Sequence, residues 1–134
     1  MSRSGYYDNV DYDPLVYGRW RAQVRSAMRG KRGQSFLREM IAALDVMPEK
    51  VLIDENLTDQ SGRVCAIGSV GKLRGIDMSE LSSDDYDKIA ATFGIAQQLV
   101  REIEYENDEC GWNETPESRW LRMRKWVESN LTKG

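Results

Sequence analysis

The sequence contains no histidine, and this absence limits the chemistry that the protein can perform. Histidine is the only side chain whose unperturbed pKa lets it change charge near neutral pH. Without it, no serine or cysteine can be activated by an imidazole base. We therefore predict that the protein is not an enzyme and that it acts by binding another macromolecule.

Cysteine is also scarce, since Cys65 and Cys110 are the only two. Two separated cysteines cannot supply the four ligands of a structural zinc site, and we predict neither a metal nor another cofactor. A disulfide between them is an alternative, although an intracellular chain favours two thiols. The apolar residues around Cys65 are typical of a buried, unreactive cysteine.

Long apolar runs are absent as well. No stretch approaches the roughly 20 apolar residues that a membrane-spanning helix needs, and the first residues lack the apolar run of a signal peptide. These two observations predict a cytoplasmic protein that does not contact a membrane.

The residues that are present favour an all-α fold. The chain has 134 residues, of which 40% are hydrophobic, enough for one core of ordinary size. Apolar residues recur at helical spacing from residue 14 onward. We expect a single compact domain of five or six helices over residues 14–134, preceded by an extended arm at residues 1–13.

Capping and breaking residues divide this domain into helices. Pro14 begins the first helix, and Gly30 and Gly33 interrupt the pattern before a second helix from about Gln34 to Met47. The short connection predicts an antiparallel pair. Residues 63–73 favour a buried helix over a strand, and Thr115 begins a final helix.

The segment from residue 85 to residue 107 resembles a helix-turn-helix hairpin. Ala90 allows two helices to cross closely, and Gly94 makes the turn between them. The second helix is acidic at Glu102, Glu104 and Glu106, which is the wrong sign for contact with phosphates. We therefore interpret the segment as a packed hairpin rather than as a DNA-reading unit.

Positive charge is concentrated near the first interhelical break. Seven basic residues and no acidic residue lie between Arg19 and Arg38. A loop from Gly30 to Gly33 would present Lys31 and Arg32 to an anionic group. The alternative is that the cluster pairs with acidic helices of the same chain. The candidate binding residues here are Arg25, Arg29, Lys31 and Arg32.

Three further residues are candidates for binding. Glu102 and Glu106 share one helix face at a spacing of four residues, where two carboxylates could hold a metal or act as an acid–base pair. A solvated face or a partner surface is the favoured interpretation, and no metal site is predicted. Trp112 lies in a loop, where it either anchors a partner or folds back on its own domain.

Several segments together are similar to a group of small proteins encoded by phages and prophages. The resemblance covers about residues 17–128. The segments are Arg29–Gln34, Phe36–Met40, Ala42–Asp45, Pro48–Lys50, Val64–Gly68, Phe93–Ala96, Asn107–Glu109, Thr115–Glu117, Arg119–Trp120 and Trp126–Val127. The group has no established activity, so the resemblance implies no catalytic residues. It implies a phage accessory protein in the cytoplasm of the host cell.

The leading hypothesis is therefore a phage accessory protein that binds a host or defence protein, another phage protein, or a second copy of itself. The alternative is a nucleic-acid-binding protein that uses the basic residues 29–32. The oligomeric state does not follow from the sequence.

Overall fold

Six helices form the computed structural model, which describes residues 14–132. No strand is present within that range, apart from a single antiparallel bridge between Thr58 and Val64. The all-α prediction is confirmed, and the predicted extended arm at residues 1–13 lies outside the described residues. The helices are α1 (Pro14–Arg29), α2 (Lys31–Val46), α3 (Ala66–Arg74), α4 (Tyr86–Phe93), α5 (Gln97–Glu109) and α6 (Pro116–Asn130).

The turn between α1 and α2 is tighter than the sequence predicts. Gly30 alone separates the two helices, and Lys31 and Arg32 already belong to the first turn of α2. The prediction of a loop from Gly30 to Gly33 is therefore wrong. Gly33 is buried inside α2, where its missing side chain allows the backbone of α1 to approach; it does not end a helix.

A long irregular segment connects α2 to α3. The predicted buried helix exists, but it begins at Ala66 and not near residue 63. Cys65 caps it, since its sulfur accepts a hydrogen bond from the Gly68 amide at 3.4 Å. Gly68 faces the carbonyl of Leu57 so closely that a Cβ would lie 2.0 Å from that oxygen. Small residues thus let α3 pack against the preceding segment.

The hairpin of α4 and α5 has the predicted turn. Asp85 caps α4 by accepting a hydrogen bond from the Lys88 amide, and Gly94 ends it with a φ of 72°, a conformation that glycine adopts without penalty. Helix α5 contacts α1, α3, α4 and α6. Every residue from Gln97 to Glu109 is buried or half-buried, which makes α5 the central helix of the fold.

Helix α6 begins as the sequence predicts. Thr115 and Ser118 form a reciprocal capping box, and Pro116 occupies the first turn. All six helices contribute to one hydrophobic core, which also includes residues of the irregular segment. None of the helices among residues 14–132 is both long and apolar enough to cross a membrane. The fully buried large side chains include Phe36, Leu37, Met40, Leu52, Ile67, Ile89, Leu99, Ile103 and Met123.

Candidate functional site

Four predicted binding residues lie close together in the chain, on either side of the turn between α1 and α2. Arg25 and Arg29 occupy the end of α1, Lys31 and Arg32 begin α2, and all four are exposed. Within residues 14–132, none of the four forms an ion pair with a carboxylate. We call these four residues the basic surface.

The start of α2 is an unfavourable place for positive charge. The N-cap residue Gly30 has no side chain to accept a hydrogen bond, and the first turn contains no acidic residue. The first amides of a helix already bear partial positive charge, so an anion there is stabilising and a cation is not. Lys31 and Arg32 therefore oppose the local preference of the helix.

A groove of about 460 Å³ lies beside these two cations. Its walls include Lys31 and Arg32 of α2 and Ala96 and Gln98 at the start of α5. Ala96 is the N-cap of α5, and it too makes no capping hydrogen bond through its side chain. The tertiary fold thus brings the uncapped starts of two helices to the same groove as the two cations.

Other arginines of the chain are engaged inside the fold. Arg21 binds Glu102 through two hydrogen bonds of 2.7 and 3.0 Å, and Arg74 binds both carboxylate oxygens of Glu39 at 2.6 and 2.7 Å. The hydrogen bond from Arg74 holds the pKa of Glu39 below its usual value. Among residues 14–132, internal pairing, the alternative considered for the whole cluster, therefore applies to Arg21 but not to the basic surface.

The two candidate carboxylates of α5 do not form a common surface. Glu102 is only 6% exposed and faces Arg21 of α1. Glu106 pairs instead with Arg122 of α6 at 3.1 Å. Among residues 14–132, no group of three cysteine, aspartate or glutamate side chains is arranged to hold a metal ion.

Trp112 lies in a loop that hydrogen bonds from Arg122 keep in place. Its side chain is 95% exposed, so the alternative that it folds back on its own domain is excluded. Arg122 binds both carboxylate oxygens of Glu114 at 2.5 and 2.9 Å and donates to the carbonyl of Glu106 at 2.7 Å. The hydrogen bond from Arg122 lowers the pKa of Glu114.

Cys110, at the start of the same loop, is unsuited to nucleophilic chemistry. Although Cys110 is exposed at the surface, partial desolvation of its thiol is the main cause that raises its pKa to about 12, and the charge of Glu106 adds to the effect. A thiol with that pKa is protonated at neutral pH, whereas the thiolate is the reactive form.

The predicted site residues thus fall into separate places, with Glu106 beside Arg122. The basic surface lies near the start of α5, Glu102 is buried along that helix, and Trp112 follows its end. The 13 residues of α5 separate the two ends by about 20 Å at 1.5 Å per residue. One small ligand cannot reach both ends, and Lys31 and Arg32 are the predicted residues that line a common groove.

Sequence reasoning missed the buried polar residues that organise the irregular segments. Arg119 donates to the carbonyl of Leu52 at 3.0 Å, and the Asn107 side chain joins Ile53 and Ala66 through hydrogen bonds of 3.0 and 3.1 Å. Nothing in the spacing of these residues marks them as buried, because their partners are distant in sequence.

Comparison with known proteins identifies no relative of the chain. No family model, no curated protein and no solved structure matches the chain. The resemblance to phage-encoded proteins consequently stays a prediction.

Proposed function

We propose that this protein acts by macromolecular binding and that its basic surface contacts an acidic patch on a partner protein. The observation that carries this proposal is the position of Lys31 and Arg32 in the first turn of α2, without an acidic partner among residues 14–132. Residues that violate a local structural preference are most often found at functional sites.

A partner carboxylate would relieve the unfavourable charge at this position. It would meet the cations of Lys31 and Arg32 and lie next to the first amides of α2. Arg25 and Arg29 extend the same charge along α1, and no acidic residue occurs between Pro14 and Arg38. The surface is therefore complementary to a cluster of carboxylates on another protein.

Two observations favour a protein partner over nucleic acid. A DNA-reading helix presents its early residues to base edges in the major groove, yet α5 has no exposed residue. The positive region is also bounded, because Asp87 accepts a hydrogen bond from Gln97 in the first turn of α5 at 3.2 Å. A polyanion that continued past this turn would meet that carboxylate.

The phage accessory role belongs to the same proposal and rests only on the resemblance between sequences. In that role the acidic partner is a host or defence protein. The absence of histidine supports a binding function over a catalytic one, since catalysis would require a perturbed carboxylate, lysine or cysteine.

Affinity capture from a bacterial host lysate tests the proposal. The bait is the full chain, compared with Lys31→Glu, with Arg32→Glu and with the double variant. Lys125→Glu serves as the matched control, because Lys125 is exposed on α6 and forms no ion pair among residues 14–132. We expect the double variant to lose a protein that the wild type and the control both retain.

Two results would contradict the proposal. Equal capture by all baits would remove the basic surface from the interaction. Capture that disappears after nuclease treatment would instead support binding to nucleic acid through residues 29–32, and that binding should weaken steeply with salt.

A further inference from the structure

A second charged surface of this chain is acidic and lies between α3 and the first turn of α4. Residues 77–87 contain five acidic residues and no lysine or arginine. All five are exposed, and none forms an ion pair among residues 14–132. We call them the acidic segment: Asp77, Glu80, Asp84, Asp85 and Asp87.

Among residues 14–132, the groups that donate hydrogen bonds to the acidic segment are electrically neutral. Asp77 accepts from the amide of Ser79 at 3.0 Å, and Asp85 accepts from the amide of Lys88 at 3.1 Å. These donors are neutral backbone groups, so they orient the carboxylates without neutralising them. The side chains of Glu80 and Asp84 accept none of these hydrogen bonds, so substitution of either residue leaves the local hydrogen bonds intact.

The two charged surfaces are neighbours across the hairpin of α4 and α5. Lys31 and Arg32 line a groove together with Gly94 and Ile95, which form the turn of that hairpin. Asp87 contacts the first turn of α5 through Gln97. The eight residues of α4 span only about 12 Å, which keeps Asp87 in its first turn, the nearest member of the acidic segment, within about that distance of the turn along the helix.

We propose that the basic surface of one copy binds the acidic segment of a second copy in a two-fold dimer. Neighbouring patches of opposite sign are self-complementary under a two-fold rotation, because each positive patch then meets the negative patch of its partner. The same contact is made twice, and the dimer is closed. This proposal rests on the function proposed above, since it names a partner for the same basic surface.

The charged side chains in the proposed contact are exposed to solvent, which determines how strong the dimer is and how it responds to salt. Exposed ion pairs each contribute little and are screened by salt. Association is therefore weak and depends on ionic strength, and a more acidic heterologous partner can displace the second copy. In the dimer, the second copy thus covers the basic surface until a partner that binds more tightly displaces it.

Sedimentation velocity of the purified full chain at two salt concentrations tests the dimer. The Debye length falls from about 30 Å at 0.01 M salt to about 3 Å at 1 M. We expect a concentration-dependent rise of the sedimentation coefficient toward the dimer value at 0.01 M, and the monomer value at 1 M. A monomer at both salt concentrations, or a dimer indifferent to salt, would overturn the proposal.

Charge reversal on both sides identifies the contact. Lys31→Glu with Arg32→Glu makes the basic surface acidic, and Glu80→Lys with Asp84→Lys makes the acidic segment basic. We expect each double variant alone to be monomeric at 0.01 M salt. An equimolar mixture should associate about tenfold or more tightly than either variant alone, because both contacts are then restored. Rescue by mixing requires that both variants are folded, and circular dichroism verifies this independently.

The outcomes separate this inference from the proposed function. If the mixture fails to associate while both variants are folded, the two-fold contact is wrong. The acidic-segment variant should still capture the host protein, since its basic surface is unchanged. Loss of self-association together with retained capture by this variant therefore supports the assignment of the acidic segment to the second copy.

Discussion

Gly33 of α2 lies so close to Ala27 of α1 that a Cβ on Gly33 would stand 2.0 Å from the carbonyl oxygen of Ala27. The neighbouring carbonyl of Met28 would lie 2.9 Å from the same atom. Both obstacles are backbone, which cannot rotate away as a flexible side chain can. The sharp turn that exposes the basic surface therefore depends on a glycine at residue 33.

The first prediction follows from this contact. Gly33→Ala should lower the free energy of unfolding by about 1–3 kcal/mol, the cost typical of overpacking. Gly18→Ala is the control, because a Cβ at Gly18 of α1 meets nothing within 4 Å and alanine favours a helix by about 1 kcal/mol. Urea denaturation of both variants measures the difference, and equal stability of the two would contradict the close packing.

The second prediction concerns the helix start at which the basic surface lies. Lys31→Glu should raise the free energy of unfolding by about 0.3–1 kcal/mol, because an anion is favourable in the first turn of a helix. Lys125→Glu, at an exposed position of α6, should not share this gain. Thermal unfolding at low salt provides the test. A variant that is more stable yet binds less would show that the lysine is kept for binding.

The third prediction is a pH dependence that arises from Glu114. Arg122 lowers the pKa of this carboxyl in the folded protein, so folding is stabilised while Glu114 is ionised. That stability is complete above the unfolded-state pKa of about 4.3, and it is lost as the pH falls through the lower folded-state pKa.

Glu114→Gln should therefore be less stable than the wild type at pH 7, by about 1–3 kcal/mol for hydrogen bonds to a charged group. The difference should narrow as the pH falls below about 4.3. Denaturation curves at several pH values check this. A constant difference between pH 7 and pH 3 would show that the ion pair with Arg122 does not produce the effect.

The fourth prediction is that the exposed side chain of Trp112 contributes little to the stability of the fold. Trp112→Ala should change the free energy of unfolding by less than about 0.5 kcal/mol, as is usual for exposed positions, because the side chain is 95% exposed. Trp120→Ala is the contrast, since Trp120 is 8% exposed and its indole donates to the Leu44 carbonyl at 3.2 Å. Trp120→Ala should lower the free energy of unfolding by about 3–5 kcal/mol. A large loss for Trp112→Ala would mean that the loop packs against other parts of the chain.

The helices were largely predictable because their signals are local. Pro116 after Thr115 begins α6, and Gly94 ends α4, where the predicted turn is found. The error at Gly33 has a physical cause. A glycine in a helical stretch indicates either a break or a close approach of another backbone, and only the position of α1 distinguishes the two.

The amino-acid sequence alone predicts an all-helical chain with a basic stretch at residues 19–38 and a mostly acidic stretch at residues 77–109. Which of these charges form ion pairs depends on the packing of the helices. Arg21 and Glu102 are 81 residues apart in the chain, yet they bind each other, whereas Lys31 and Arg32 form no ion pair among residues 14–132, although they share a groove with Glu39. Pairing depends on distances in space, and residues separated by several helices have no spacing rule that predicts those distances.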